Sequence, residues 1–290
     1  MTRRTLILGV AVLTALGAAA YVRREELVLS SLALATPKRS LDEQIALIEP
    51  GIEIFTPEAG AGPWPALLQF HGCSGFRRDW MKGWATIANE AGFLVIVVDS
   101  NGPRGIDRER ALKTVCGGKE LIGQERAGDI AAAIEIARRR ADVDAAKIVV
   151  AGWSHGAWSV MDYLALEGAN RAPSSLDARP EGPPLAGAIL FYPYCGEGTW
   201  SRLHAWRQEP PTLAFVAARD SVVSPEECRV AAAKLAREGV AIDLVEYAEA
   251  DHAFDDVTLL GGPYAYFYHA PSAADAGRRV SAFLKSVAQK

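Results

Sequence analysis

Short apolar runs alternate with longer stretches of helical period along most of this chain. "PALLQF" (65–70) reads as a strand, and "MKGWATIANEAG" (81–92) follows as a helix ending in glycine. "FLVIVV" (93–98) is apolar without a break, the pattern of a strand buried on both faces. A long loop covers roughly 99–123, and "QERAGDIAAAIEIARRR" (124–140) is rich in alanine and other helix formers. "KIVVAG" (147–152) is the next strand, leading through a short turn into a helix from about Gly156 to Glu167. "LAGAILFY" (185–192), "TLAFVAA" (212–218) and "AIDLVEY" (241–247) complete the strands. Ser224 and Pro225 open a helix that stops at Gly239: serine caps, and proline takes the first helical position. "SAADAGRRVSAFLKSVA" (272–288) is the last helix. Alternating strand and helix predicts an α/β fold with a mostly parallel central sheet and helices on both faces. No internal repeat or low-complexity segment interrupts it, and the proline-rich piece from Arg171 to Pro184 reads as a surface loop.

The N-terminus breaks this rhythm. Arg3 and Arg4 precede an uncharged apolar run from Thr5 to Val22, which Arg23 and Arg24 close. A basic start, an apolar middle and the small residues Ala18–Ala20 read as a secretion signal. The run is also just long enough to span a bilayer, so a membrane tether through residues 5–22 fits the same residues. Either reading exports the rest of the chain, periplasmic or otherwise extracytoplasmic. The expected organisation is a signal or anchor at 1–22, a spacer at 23–47 and one domain at 48–290.

Composition narrows the function classes. Half of the 290 residues are hydrophobic, enough for one large domain core. Basic and acidic residues number 31 and 35, and no basic run exceeds the "RRR" at 138–140. That triplet ends a helix, where cations offset the helix dipole, so nothing points to nucleic acid. The four cysteines Cys73, Cys116, Cys195 and Cys228 lack the close spacing of a zinc or redox motif. In an oxidising compartment an even count points to disulfides, with three possible pairings.

The candidate chemistry centres on Ser154, in "VVAGWSHGAW" (149–158). It follows a buried strand and precedes a helix, and Gly152 and Gly156 flank it at minus and plus two. This is the G-x-S-x-G nucleophile elbow, in which a sharp strand-to-helix turn presents the serine at the strand's carboxyl end. A serine hydroxyl needs a neighbouring base. Of five histidines, His252 follows the last strand in "AEADHAFDD" and falls on the same sheet edge as Ser154. His269 is the alternative, His155 points elsewhere beside the nucleophile, and His204 lies in an aromatic stretch. Asp220 follows "TLAFVAA" at a carboxyl end, and would hold the imidazole's tautomer. Asp251 is a weaker candidate, and Asp255 and Asp256 read as a solvated loop. Backbone N–H groups of Cys73, in "HGCSG" (71–75), and of His155 are the expected oxyanion donors. Around them, Arg104 is a candidate for a substrate carboxylate or else a pin for its loop. Tyr194 is a candidate pocket residue. Trp153 and Trp158 beside the nucleophile read as packing residues or else as substrate platforms, with Trp153 taken as the pocket candidate, and Trp200 and Trp206 are candidates to roof the cleft. Base, anion and oxyanion donors suffice for acyl transfer, so no metal or organic cofactor is expected.

The stretches "HGCSG", "VVDSNGPRG", "GWSHG", "FYPYCG", "ARDSVVSPEEC" and "ADHAF" together resemble the dienelactone hydrolase family of α/β-hydrolases, closest to a serine-bearing exported subgroup. The resemblance covers about Trp64 to Phe283. It implies the α/β-hydrolase fold, a nucleophile at Ser154, an acid at Asp220 and a base at His252. The chain departs from the family's namesake enzymes in carrying serine rather than cysteine at the elbow. "FYPYCG" places Tyr194 where the subgroup often has a smaller residue, narrowing the cleft. In that fold the strands before Cys73 and Cys116 are neighbours, and so are those before Cys195 and Cys228. The expected disulfides are therefore 73–116 and 195–228. The implied activity is hydrolysis of a small-molecule ester or lactone through an acyl-serine. A peptidase or acyltransferase would use the same residues, and a catalytically silent binding protein would keep the fold alone.

Overall fold

The structure is a computed structural model that describes residues 20–289. The expected signal or anchor at 1–22 therefore lies almost wholly outside the described residues. Among the described residues no helix is long and apolar enough to cross a membrane.

Seven strands form one sheet in the order β1-β3-β2-β4-β5-β6-β7. They are β1 (Ile52–Phe55), β2 (Trp64–Phe70), β3 (Leu94–Val98), β4 (Val143–Trp153), β5 (Gly187–Phe191), β6 (Thr212–Ala217) and β7 (Ile242–Tyr247). All neighbours run parallel except β1, which lies antiparallel to β3. The helices are α1 (20–35), α2 (Leu41–Ile48), α3 (Arg78–Glu90), α4 (Arg108–Lys113), α5 (Gly123–Arg139), α6 (His155–Gly168), α7 (Trp200–Leu203), α8 (Pro225–Arg237) and α9 (Ala270–Ala288).

Side chains alternate across each strand, so the sheet has two dry faces. Leu68, Phe70, Ile96, Val98 and Val150 join the core that α2, α5, α6 and α8 cover. Leu67, Val95, Val97, Val149 and Ala151 join the core beneath α3 and α9. This is why β3 is apolar at every position: both its faces are covered. The mostly parallel α/β sheet expected from the alternation is observed, and it is the α/β-hydrolase architecture that the resemblance implies.

Three features differ from the sequence reading, one of them α4, which forms inside the stretch 99–123 expected as a loop. The short edge strand β1, with its alternating "IEIF", carried too few apolar positions to stand out. The segment expected as a spacer contains α1 and α2. The hydroxyl of Ser40 accepts from the Glu43 N–H, and the Glu43 carboxylate accepts from the Ser40 N–H, a reciprocal cap that starts α2. Leu29 on α1 and Ile48 on α2 are both buried in the main core.

Candidate active site

The elbow is built by backbone crowding. β4 delivers Ser154 at φ 53° and ψ −113°, a left-handed conformation that only the surrounding structure holds in place. A Cβ on Gly152 would sit 2.4 Å from the Ala157 nitrogen, and one on Gly156 would sit 2.2 Å from the Phe70 carbonyl oxygen. Both glycines are therefore sterically required: one by the turn of α6 above it, the other by the approach of α6 to β2.

Three side chains from three loops meet at the carboxyl edge of the sheet. The Ser154 Oγ lies 2.9 Å from the His252 Nε2. The His252 Nδ1 lies 2.8 Å from an Asp220 carboxylate oxygen. A carboxylate only accepts, so Nδ1 carries the proton and Nε2 is left to accept from the serine hydroxyl. The other Asp220 oxygen accepts from the N–H groups of Val222 and Val223, both at 2.9 Å. Asp251 instead accepts from the Ser221 N–H and hydroxyl and from the His252 N–H. It staples the acid loop to the base loop. His269 is not at the site: its Nδ1 pairs with the Ser272 hydroxyl at the start of α9.

The N–H groups of Cys73 and His155 donate to no other group among the described residues. Both residues line the cleft with Ser154, a cavity of about 420 Å³ whose walls include Trp158, Tyr194 and Val222. A larger cavity of about 620 Å³ beyond Ser74–Arg77 does not contain Ser154. The two disulfides, Cys73–Cys116 and Cys195–Cys228, have Cα separations of 5.0 and 5.2 Å, within the bridging range.

Behind the cleft lie two polar clusters that the sequence reading missed. The first is built on Arg126, fully buried on α5. Its guanidinium donates to the His71 carbonyl at 2.8 Å and the Ser100 hydroxyl at 2.9 Å, and lies 3.2 Å from the His155 Nδ1. Burial pulls the Arg126 pKa down to about 10. Burial, with the nearby Arg126 cation, also pushes the His71 and His155 imidazoles below their usual range, so both are neutral. The His71 Nδ1–H then donates to the Gly72 carbonyl at 2.6 Å. With the carbonyls of residues 71 and 72 both occupied, the "HGCSG" turn is held in one pose. The alanine-rich pattern around Arg126 reads only as a helix; nothing local marks the arginine as buried.

The second cluster is built on Asp255, expected to be solvated but 5% exposed. Its Oδ2 accepts from the indole N–H groups of Trp80, Trp84 and Trp153, at 3.1, 2.9 and 3.0 Å. Its Oδ1 accepts from the Tyr192 hydroxyl at 2.6 Å. Burial pushes the Asp255 carboxyl up, and the Tyr192 hydrogen bond opposes it. The Tyr192 ring packs against His252, with centroids 4.6 Å apart. Asp256 is likewise buried and paired with Arg77. A run of acids near a histidine has the composition of a surface loop; what buries this one are tryptophans on a distant helix.

Four candidate cleft residues are corrected. Arg104 forms a bidentate pair with Asp129, at 2.8 and 3.1 Å, and donates to the Ser100 carbonyl. Its fork is occupied, so it pins the loop and does not line the cleft. Trp153 points away from the cleft, because strand alternation turns it to the opposite face from α6. There it stacks on Phe191, with centroids 4.8 Å apart. Trp200 and Trp206 lie in the main core and do not roof the cleft. Tyr194 does line it, edge-on to Trp158, whose substrate-platform reading fits better than packing alone.

Comparison with known proteins agrees with this fold. No curated protein matches the chain. Among solved structures, a dienelactone hydrolase-like promiscuous phosphotriesterase from metagenomic libraries is 19% identical with a TM-score of 0.63, over 81% of this chain and 92% of that one. A propionate-bound esterase from the planctomycete Thermogutta terrifontis is 17% identical with a TM-score of 0.56, over 80% and 86%. Another structure of that esterase, phosphorylated by paraoxon, is 18% identical with a TM-score of 0.55, over 79% and 85%. These likenesses show the fold. Residues 53–288 match the model of the dienelactone hydrolase family. The chain belongs to that family, and it is a hydrolase acting on ester bonds.

Proposed function

We propose that this protein hydrolyses a small-molecule carboxylic ester or lactone through an acyl-Ser154 intermediate. The observation that carries the reading is the continuous hydrogen-bonded line from the Ser154 hydroxyl through His252 to Asp220. His252 takes the serine proton as Oγ attacks the carbonyl carbon. Asp220 holds the imidazole's tautomer and stabilises the imidazolium that forms. The N–H groups of Cys73 and His155 receive the developing oxyanion. His252 then returns its proton to the leaving alkoxide, the acyl-serine forms, and an activated water releases the acid by the same steps.

The catalytic domain of this reading spans 48–290. Two disulfides favour an oxidising compartment, consistent with export of the domain by the N-terminal apolar run.

A fluorophosphonate probe tests the mechanism, and paraoxon is a second one, since one structural neighbour is a promiscuous phosphotriesterase and another is an esterase phosphorylated by paraoxon. Both are expected to label Ser154 of the folded protein and to abolish ester turnover. Ser154→Ala removes labelling and nearly all turnover, while Asp220→Asn lowers kcat by about four orders of magnitude. Folded protein that turns over esters with Ser154 unlabelled and replaceable would refute the acyl-serine.

A further inference from the structure

The cleft in front of Ser154 is not closed by the segment that the family covers. One wall comes from α1, which precedes the matched residues 53–288. Leu29 and Leu32, three positions apart and so on one helix face, line the same cavity as Ser154. Leu29 is 2% exposed, while Leu32 is 47% exposed. The helix is held there by contacts to three separate parts of the domain. The buried Gln124 on α5 donates to the Leu29 carbonyl at 2.9 Å, and its own side-chain oxygen accepts from Trp200 at 2.7 Å. Glu26 lies 3.2 Å from the His204 Nε2 and 3.6 Å from Arg171.

The chemistry of the walls is apolar. Val115, Ile122, Trp158, Val222 and Val223 line it with the two leucines, Tyr194 adds a phenol, and Glu197 is the one acidic side chain there among the described residues. Among the described residues neither lysine nor arginine lines the cavity, and Arg104 is engaged by Asp129. A carboxylate on the substrate would meet Glu197 and no cation, whereas a hydrocarbon chain would replace water along the leucines.

We propose that α1 is a specificity element: Leu29 and Leu32 form one wall of the pocket that takes the apolar chain of the ester, so that they set how long a chain is accepted. The substrate class is then uncharged esters with an extended hydrocarbon chain. The inference rests on the acyl-Ser154 reading and goes beyond it, since the family segment alone leaves this wall out.

The test uses the full chain and the nitrophenyl esters of acetate, butyrate and octanoate. The readout is the ratio of kcat/KM for octanoate to that for acetate. In the unaltered protein the ratio exceeds one. Leu32→Trp, which fills the cavity from a half-open position, lowers the ratio at least tenfold, and Leu32→Ala shifts it the opposite way. Leu27→Trp, on the same helix but outside the cavity, keeps the unaltered ratio. Fluorophosphonate labelling of Ser154 in every variant reads the catalytic reading separately. Labelled, active variants whose ratios all match the unaltered protein overturn the role of α1 and leave the acyl-serine standing. Ester turnover without a labelled Ser154 overturns the acyl-serine instead.

Discussion

Asp255 shows how much of this site depends on single buried groups. Four donors from three elements converge on its two oxygens, which is the full acceptor capacity of a carboxylate. Removing the acceptor strands three indole N–H groups and a phenol in the core. Asp255→Ala should therefore lose about 3–5 kcal/mol of stability by urea unfolding, the range for breaking a buried polar network. Asp255→Asn keeps one acceptor oxygen and should lose clearly less. An equal loss in both variants would mean that the hydrogen bonds contribute little beyond packing. Through Tyr192, which packs on His252, the same carboxylate also bears on the base. Arg126 plays the corresponding part for the oxyanion turn, holding the His71 carbonyl from behind.

In the proposed mechanism the β4–α6 elbow is the element on which the reaction turns. Its strain is local, at Ser154, and two further non-glycine residues with positive φ lie beside the base: Tyr192 at 35° and Ala253 at 54°. Such conformations persist only where packing over-determines them, and each costs about 1–3 kcal/mol. The elbow's tolerance is correspondingly small. Gly156→Ala drives a methyl group into the Phe70 and His71 carbonyl oxygens, at 2.2 and 2.7 Å, where only backbone could yield. It should destabilise by about 1–3 kcal/mol and depress turnover, because the displaced strand end carries the oxyanion turn. Gly83→Ala, in the middle of α3 with nothing within 4 Å, should instead stabilise by about 0.5–1 kcal/mol. Thermal unfolding of the two variants, measured together, checks both signs.

For the whole molecule, the disulfides are the features that tie rim loops to each other. One ties the oxyanion turn to the loop before α5, and the other ties the loop after β5 to α8. They close loops of 43 and 33 residues. Chain-entropy arguments assign each about 4 kcal/mol of stability. Cys73→Ser with Cys116→Ser should show that loss in chemical unfolding, and reductant should then add a further loss from the second bridge. If reduction leaves the stability of the unaltered protein unchanged, the bridges do not brace the fold.

The alternation of apolar runs, the glycines around Ser154, and the order of serine, acid and base along the chain were legible without coordinates. The first two are each encoded within about ten residues: a strand buried on both faces must be apolar throughout, and a sharp turn under a helix excludes side chains at set positions. The resemblance to a known family supplied the topology from which the cysteine pairing followed. What only the tertiary structure decided is the environment of groups whose partners lie far away in sequence. Arg104 reads equally well as a substrate ligand or as a loop pin until Asp129 is seen to occupy it. Trp153 sits beside the nucleophile in sequence yet faces the other side of the sheet. Asp255 has the local composition of solvent loop, and is buried by tryptophans on α3. Residues 23–47 carry no motif beyond the Ser40–Glu43 cap that starts α2, and only packing shows that α1 forms a wall of the cleft. Propensity acts along the chain, whereas burial and pairing are set by what the fold brings against it.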